Sequence, residues 1–309
     1  ESFSLQDIES KLGNLLGTTA KGVVIHDFAV NPISQNIYMA VSRSDANQLG
    51  FWKLPNDVAY ANILLKLKPD GSMEEVSLAN ISHSVTALPS VIEEGKQNFR
   101  KSDLRTEAIT DIEYYEGKLY VAGLSNEEFA SSLQVLPFPF NEESAKVNTI
   151  EVWHVAHGKS ETQSPIRSFM PYTLAGEKQL LAVYTCTPLV SISLNSLQGS
   201  SHVKGKTLAE MGAGNMPIDI ISYVREGKEY ILVSNASKAL LRIDPDNIAK
   251  QKELTGKLES GAYTAGVKYD ALSRVGIMHI DNLNENNVLV LQRTPGGMLN
   301  FRSYSTKWL

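Results

Sequence analysis

An internal repeat constrains this chain more than any other feature. One pattern recurs along its 309 residues: an alternating apolar-polar strand, a tight polar turn usually containing Gly, a second apolar strand that ends in small polar residues, a third alternating strand and a weaker fourth. The clearest copy opens at Ala108-Ile109-Thr110-Asp111-Ile112, turns at Tyr115-Glu116-Gly117-Lys118 and continues through Leu119-Tyr120-Val121-Ala122 to Leu124-Ser125-Asn126. A second opens at Pro217-Ile218-Asp219-Ile220, turns at Arg225-Glu226-Gly227-Lys228 and runs through Tyr230-Ile231-Leu232-Val233 to Ser234-Asn235. Glycine in such turns supplies the positive φ that a tight hairpin needs. Looser copies open at Val24-Ile25-His26-Asp27-Phe28, at Ile166-Arg167-Ser168-Phe169 and near Thr264-Ala265-Gly266-Val267.

Aligned on Asp27, Asp111, Ser168, Asp219 and Gly266, the copies are 84, 57, 51 and 47 residues apart, against about 40 to 50 per unit in common propeller repeats. The excess in the first interval lies in residues 79–106, a polar stretch read as an inserted loop or short helix, with a degenerate sixth unit as the alternative. Leu5 to Leu16 suits either a short helix or an outer strand. A sandwich also accommodates turns every 8 to 12 residues, but a four-strand unit repeated along the chain favours radial repetition, which leaves strand edges short and protected. The expected fold is therefore all-β: a β-propeller with five recognisable four-stranded blades or six, residues 1–22 as an N-terminal, blade-completing segment and 23–309 as a single domain. From Val23 to Tyr304 the chain resembles the β-propeller superfamily in the broad sense, which includes lactonase-like and quinoprotein- or surface-layer-like propellers. The Gly-His and Trp-Asp pairs of the WD40 family are absent.

Charge and composition exclude several functions. A net charge of -5 with scattered Lys and Arg lacks the basic stripe of a nucleic-acid binder, and the longest apolar runs fall far short of the ~18 residues of a membrane span. The single cysteine, Cys186, rules out an intramolecular disulfide framework and Cys-based zinc clusters. The start at Glu1 without Met fits a processed chain, so an extracytoplasmic (periplasmic or secreted) location is expected.

In propellers of the kind it resembles, the starts of first strands and the ends of second strands meet on one face around a central channel. Applied to this chain, that geometry implies a polar working face with Asp27, Thr110, Asp111, Asn126, Arg167, Asp219 and Asn235 as ligand-binding candidates. Carboxylate and amide oxygens suit a hard cation such as Ca²⁺; alternatively the recurrent Asp braces a neighbouring strand through backbone N–H groups.

Histidine offers a second chemistry. His154 and His157 are three apart in Val152-Trp153-His154-Val155-Ala156-His157-Gly158, a spacing that shares one face if the segment makes a helical turn. With His26 they form a candidate transition-metal set, and His26 and His157 are the candidate catalytic bases. His83 and His202 read as surface loop residues, His279 as a satisfied strand histidine and Cys186 as a small buried hydrophobe. Neither a nucleophile elbow nor a P-loop or dinucleotide fingerprint occurs. The resulting expectation is a non-catalytic propeller that binds a small molecule, ion or protein partner on its polar face. The alternative is a metal-dependent hydrolase of lactonase type at the channel mouth, its cation held by Asp27, Asp111, Asn126, Asp219 and Asn235 with His26 or His157 as base.

Overall fold

The computed structural model describes residues 2–43, 62–98, 101, 103–140, 145–185, 188–199 and 202–309. Cys186 lies outside the described residues. Strand β1 (Ser4–Leu5) and helix α1 (Ile8–Leu16) precede a first meander of β2 (Val23–Val30), β3 (Ile37–Arg43), β4 (Asn62–Leu67) and β5 (Met73–Glu75). The second comprises β6 (Asp111–Tyr115), β7 (Lys118–Leu124), β8 (Ser131–Pro137) and β9 (Lys146–His154), with the short β10 (Lys159–Glu161) folded back on β9. The third is β11 (Ile166–Leu174), β12 (Glu177–Tyr184), β13 (Pro188–Ser193) and β14 (His202–Glu210). Then come β15 (Pro217–Arg225), β16 (Lys228–Asn235), β17 (Leu241–Ile243), helix α2 (Pro245–Lys250), β18 (Ala265–Gly266) and β19 (Tyr269–Ala271), of which β15, β16, β17 and β19 share a sheet and β18 pairs with β14. The last meander, β20 (Ile277–Asn284), β21 (Asn287–Arg293) and β22 (Leu299–Ser305), is completed by β1 on the outer edge of β22.

The fold is thus all-β and of the propeller class: the repeats read at Val24, Ala108, Ile166 and Pro217 each correspond to four neighbouring antiparallel strands among the described residues, whereas the opening read at Thr264–Val267 is misplaced, since β18 pairs with β14 and the last sheet begins at β20. Turn chemistry drives this locally. Glu116-Gly117, Ala175-Gly176 and Glu226-Gly227 each place two successive residues at positive φ, the conformation that joins strands through a two-residue loop without splaying them. The second strands β7, β12 and β16 are buried along their C-terminal halves, as expected of strands covered on both faces. No described helix is long and apolar enough to cross a membrane.

Contacts divide the chain into two compact units, one of Glu1–Ile81, Ile221–Tyr230 and Leu272–Leu309 and one of Ser82–Ile220 and Ile231–Ala271. In the first, Ile8 and Leu12 of α1 pack with Phe28, Met39, Leu65, Leu291 and Phe301, the Phe28 and Phe301 rings meeting edge to face at 5.1 Å. Leu5 to Leu16 therefore holds both a strand and a helix. In the second unit one core joins Leu133, Ile150, Phe169, Leu180 and Val190, and another joins Leu181, Val183, Ile231, Val233 and Ile248. There β9 and β14 pair in parallel, His202 opposite Thr149 and Lys204 opposite Glu151, and fuse two meanders into one sheet. The described part of 79–106 is irregular apart from a 3-10 turn at Leu104–Glu107 and an isolated bridge between Gln97 and Asp103. It is pinned by buried Ile92, whose carbonyl accepts from Arg105.

Candidate metal centre

The β9–β10 hairpin, within the second unit, brings together three metal-ligating side chains. His154 is the last residue of β9 and Glu161 the last of β10; Glu161 sits opposite Val152, two residues before His154, so both side chains stand on one face of the hairpin. Between the strands, the Gly158 N–H donates to the His154 carbonyl at 2.8 Å. This closes one helical-type turn, which carries His157 round onto His154 with ring centroids 3.9 Å apart. Gly158 permits the turn because its φ is 63°, a left-handed conformation that costs other residues about 1–2 kcal/mol. His154 Nδ1 lies 3.3 Å from Glu161 Oε2 and His157 Nδ1 lies 4.0 Å from the same oxygen.

A second carboxylate closes the site from behind. Glu210, the last residue of β14, is fully buried, and its Oε2 accepts from the Ala156 N–H at 3.1 Å while lying 3.6 Å from His154 Nε2. Its Oε1 has no hydrogen-bond partner among the described residues. Burial pushes the Glu210 carboxyl up, against the opposing pull of the Ala156 N–H, His154 and Lys238. Lys238 is itself lowered by burial, its Nζ donating to the Met211 carbonyl at 2.8 Å. Glu161 is held far down, at about 2, chiefly by its bond to His154 and also by the Thr162 and Gln163 N–H groups on Oε1. His157 is lowered by burial and by the neighbouring His154.

The lone pairs define what this arrangement can do. A carboxylate only accepts, and a neutral imidazole has one donor and one acceptor nitrogen. When Nδ1 carries the proton, His154 donates it to Glu161 Oε2 at 3.3 Å; when Nε2 carries it, a cation on the Nδ1 lone pair takes that proton's place. Two imidazoles and one carboxylate are a catalytic zinc donor set, and Zn–ligand bonds of about 2.0–2.1 Å in tetrahedral geometry separate ligand atoms by roughly 3.3 Å. His154 is fully buried while the His157 side chain is half-exposed, so a bound ion is reached from the His157 side.

The other sequence-derived residues lie elsewhere. His26, of the first unit, contacts Ser42 Oγ through Nε2 at 2.8 Å and is lowered by burial and by His279; it is not part of the hairpin cluster. The recurrent Asp residues bind backbone N–H groups, and Asp27 Oδ1 also lies 3.2 Å from His279 Nδ1. Asp27, Asp111, Asp219 and Asp281 each accept through Oδ1 from the next residue's N–H, at 2.8, 2.9, 2.8 and 2.7 Å. Across meanders, Asp111 Oδ2 accepts from the Phe169 N–H at 3.0 Å and Asp281 Oδ2 from the Val30 N–H at 2.6 Å, and Ser168 Oγ reaches Asp219 at 3.5 Å. Thr110 Oγ donates to the Ile166 carbonyl at 2.6 Å. Asn126 ties Val91 and Glu93 of the inserted segment to β7; Asn235, buried, binds the Met216, Ser237 and Lys238 N–H groups and Asn215. Arg167 is exposed, its charge acting on Glu107. The sequence reading missed Glu161 and Glu210. Glu161 was accessible from the hairpin's period of two once the turn at 155–158 was placed; Glu210 comes from a different meander and leaves no local signal.

No protein-family model matches the chain, and no curated protein matches it in sequence. Among solved structures it is similar to a GH43 glycoside hydrolase engineered to display both endo-xylanase and exo-arabinofuranosidase activity (10% identity, 96% of this chain and 51% of that one, TM-score 0.38). It is also similar to a protein of unknown function from Dyadobacter fermentans DSM 18053 (12% identity, 90% and 76%, TM-score 0.41). A third similar structure is GH43B of a Bacteroides ovatus xyloglucan PUL (9% identity, 91% and 53%, TM-score 0.39). The chain spans about half the length of the two hydrolases. The expectation of a non-catalytic propeller is corrected in so far as the GH43 structures among these are glycoside hydrolases.

Proposed function

We propose that this chain is a metal-dependent hydrolase whose ion is held by His154 Nδ1, His157 Nδ1 and Glu161 Oε2, with Glu210 orienting His154 from behind. The observation that carries the reading is the convergence of these three donor atoms on one point of the hairpin. A His₂-carboxylate set leaves a position for water, and a metal in it lowers that water's pKa to about 7. Glu210, with Oε2 3.6 Å from His154 Nε2, is the carboxylate placed to orient that ligand imidazole. Its pairing with the Ala156 N–H ties the β14 end to the hairpin turn.

Hydrolysis of 4-nitrophenyl acetate, phosphate and glycosides by protein purified without added metal, before and after dialysis against a chelator and after return of Zn²⁺ or Mn²⁺, tests this. Turnover of at least one ester class is expected to fall on chelation, return with metal and be lost in His157→Ala. Turnover indifferent to chelation, or intact in His157→Ala, contradicts the reading.

A further inference from the structure

The opposite face of β9 carries a second constellation that the metal centre does not use. Side chains alternate along a strand, so Thr149 and Glu151 project away from Ile150, Val152 and His154. The parallel pairing with β14 places His202 directly opposite Thr149. His202 Nε2 lies 3.1 Å from Glu151 Oε2, and His202 Nδ1 lies 3.3 Å from Thr149 Oγ1. Glu151 Oε1 accepts from Ser160 Oγ at 3.0 Å, and the imidazole rests on the Phe129 ring with centroids 4.9 Å apart. Thr149 and His202 line a cavity of 530 Å³ together with Glu127, Glu128, Phe129 and Val147.

Donor and acceptor roles fix the direction of this chain of bonds. An ionised carboxylate cannot donate, so His202 Nε2–H donates to Glu151, and in the neutral imidazole Nδ1 then holds the lone pair that accepts from Thr149 Oγ–H. The His202 bond is the largest influence holding Glu151 below the usual carboxylate range. A hydroxyl whose proton faces a base that is itself oriented by a third group is the arrangement that activates a nucleophile. Both strands are inner members of a continuous sheet, the rigid support such geometry requires.

We infer that Thr149, His202 and Glu151 form an acyl-transfer site, with Thr149 the nucleophile, His202 the base and Glu151 a positioning residue. Its substrate class is small esters or thioesters carrying a cationic group. In acylation, Thr149 Oγ bonds to the acyl carbon, its proton passes to His202 Nδ1, and the bond from that carbon to the leaving group breaks as His202 returns the proton to the departing alcohol or thiol. Water then gives a proton to His202, attacks the same carbon, and the released Thr149 Oγ takes the proton back. The cationic preference follows from Glu127 and Glu128 at the cavity beside the Phe129 face, to which a quaternary ammonium is attracted.

The test is mass spectrometry of the intact chain and its peptides after brief exposure to acetylthiocholine or, as the neutral comparison, 4-nitrophenyl acetate, with chelator present so that the proposed metal centre contributes nothing. An acetyl group on Thr149 is expected, formed about tenfold or more faster from the cationic probe. It should be slowed at least about 100-fold in His202→Ala, be absent in Thr149→Val and retained in Thr149→Ser, each variant first shown to unfold at the wild-type midpoint. Slowing in Glu151→Gln with normal folding supports its positioning role. No acetyl on Thr149, or labelling indifferent to His202, overturns the site; equal rates with the two probes overturn the substrate class. Chelator-sensitive turnover without Thr149 labelling leaves the metal-dependent reading standing and this one refuted.

Discussion

At the residue scale, ionised oxygens in this chain are satisfied in two distinct ways. Asp111 meets backbone N–H groups on both oxygens, whereas Glu161 meets two backbone N–H groups on one oxygen and His154 on the other. Asp111→Ala strands the Phe169 and Ile112 donors and should cost about 1–3 kcal/mol, while Asp111→Asn, which keeps an accepting oxygen, should cost less; denaturant midpoints of both variants check this. Metal content is expected to be the same in either. Glu161 predicts a pH dependence in metal-free protein. Its folded value of about 2 lies below its ordinary 4.5, so the contribution is fully present above about pH 4.5 and is lost as pH falls towards 2. It amounts to roughly 3 kcal/mol at neutral pH. Glu161→Gln should flatten that acid limb of the stability curve, and an unchanged limb would refute the assignment. The recurrent Asp was legible in the sequence because the repeat displays it, but the partner of its second oxygen belongs to another meander, as the Phe169 N–H does for Asp111, which pattern alone does not reveal.

At the element scale, the β9–β10 hairpin does most to position the candidate site. The His-x-x-His spacing was legible, and so was its dependence on a helical turn; the Gly158 to His154 bond provides that turn. His202 was misread as a loop residue and instead opens β14, because only its pairing with β9 distinguishes a strand start from a loop end. Gly158→Ala should be destabilising by about 1–2 kcal/mol on backbone grounds, and a new Cβ would also come within 3.0 Å of the Lys257 side chain. Displacing the turn moves His157 while leaving His154 and Glu161 in their strands, so calorimetric Zn²⁺ titration should show weaker binding in this variant than its stability loss alone produces. Affinity equal to wild type would separate the turn from the site.

At the scale of the whole molecule, the repeat was legible where a meander is a local product of turn chemistry and alternation, as in β6 to β9, but not in the last sheet, which has three consecutive strands and takes its fourth from β1. The pairing of β1 with β22, Ser4 opposite Arg302 and Leu5 opposite Phe301, joins positions nearly the full sequence apart and carries no local mark. It brings α1 into the core of its unit, where Leu12 is fully buried. Leu12→Ala should therefore cost about 2–5 kcal/mol, measured as a shift in denaturant midpoint, and a cost below about 1 kcal/mol would show that the helix is dispensable. Glu210 escaped the sequence for the same reason, since it reaches the hairpin from another meander.

If His154, His157 and Glu161 hold a metal ion, elemental analysis of protein purified without added metal or chelator reads it out. Close to one equivalent of a transition metal per chain is expected, absent from a folded His154→Ala, His157→Ala variant and unchanged in Asp111→Asn. Folded wild-type protein that carries no transition metal and takes none up on dialysis against Zn²⁺, or metal that persists in the histidine variant, contradicts it.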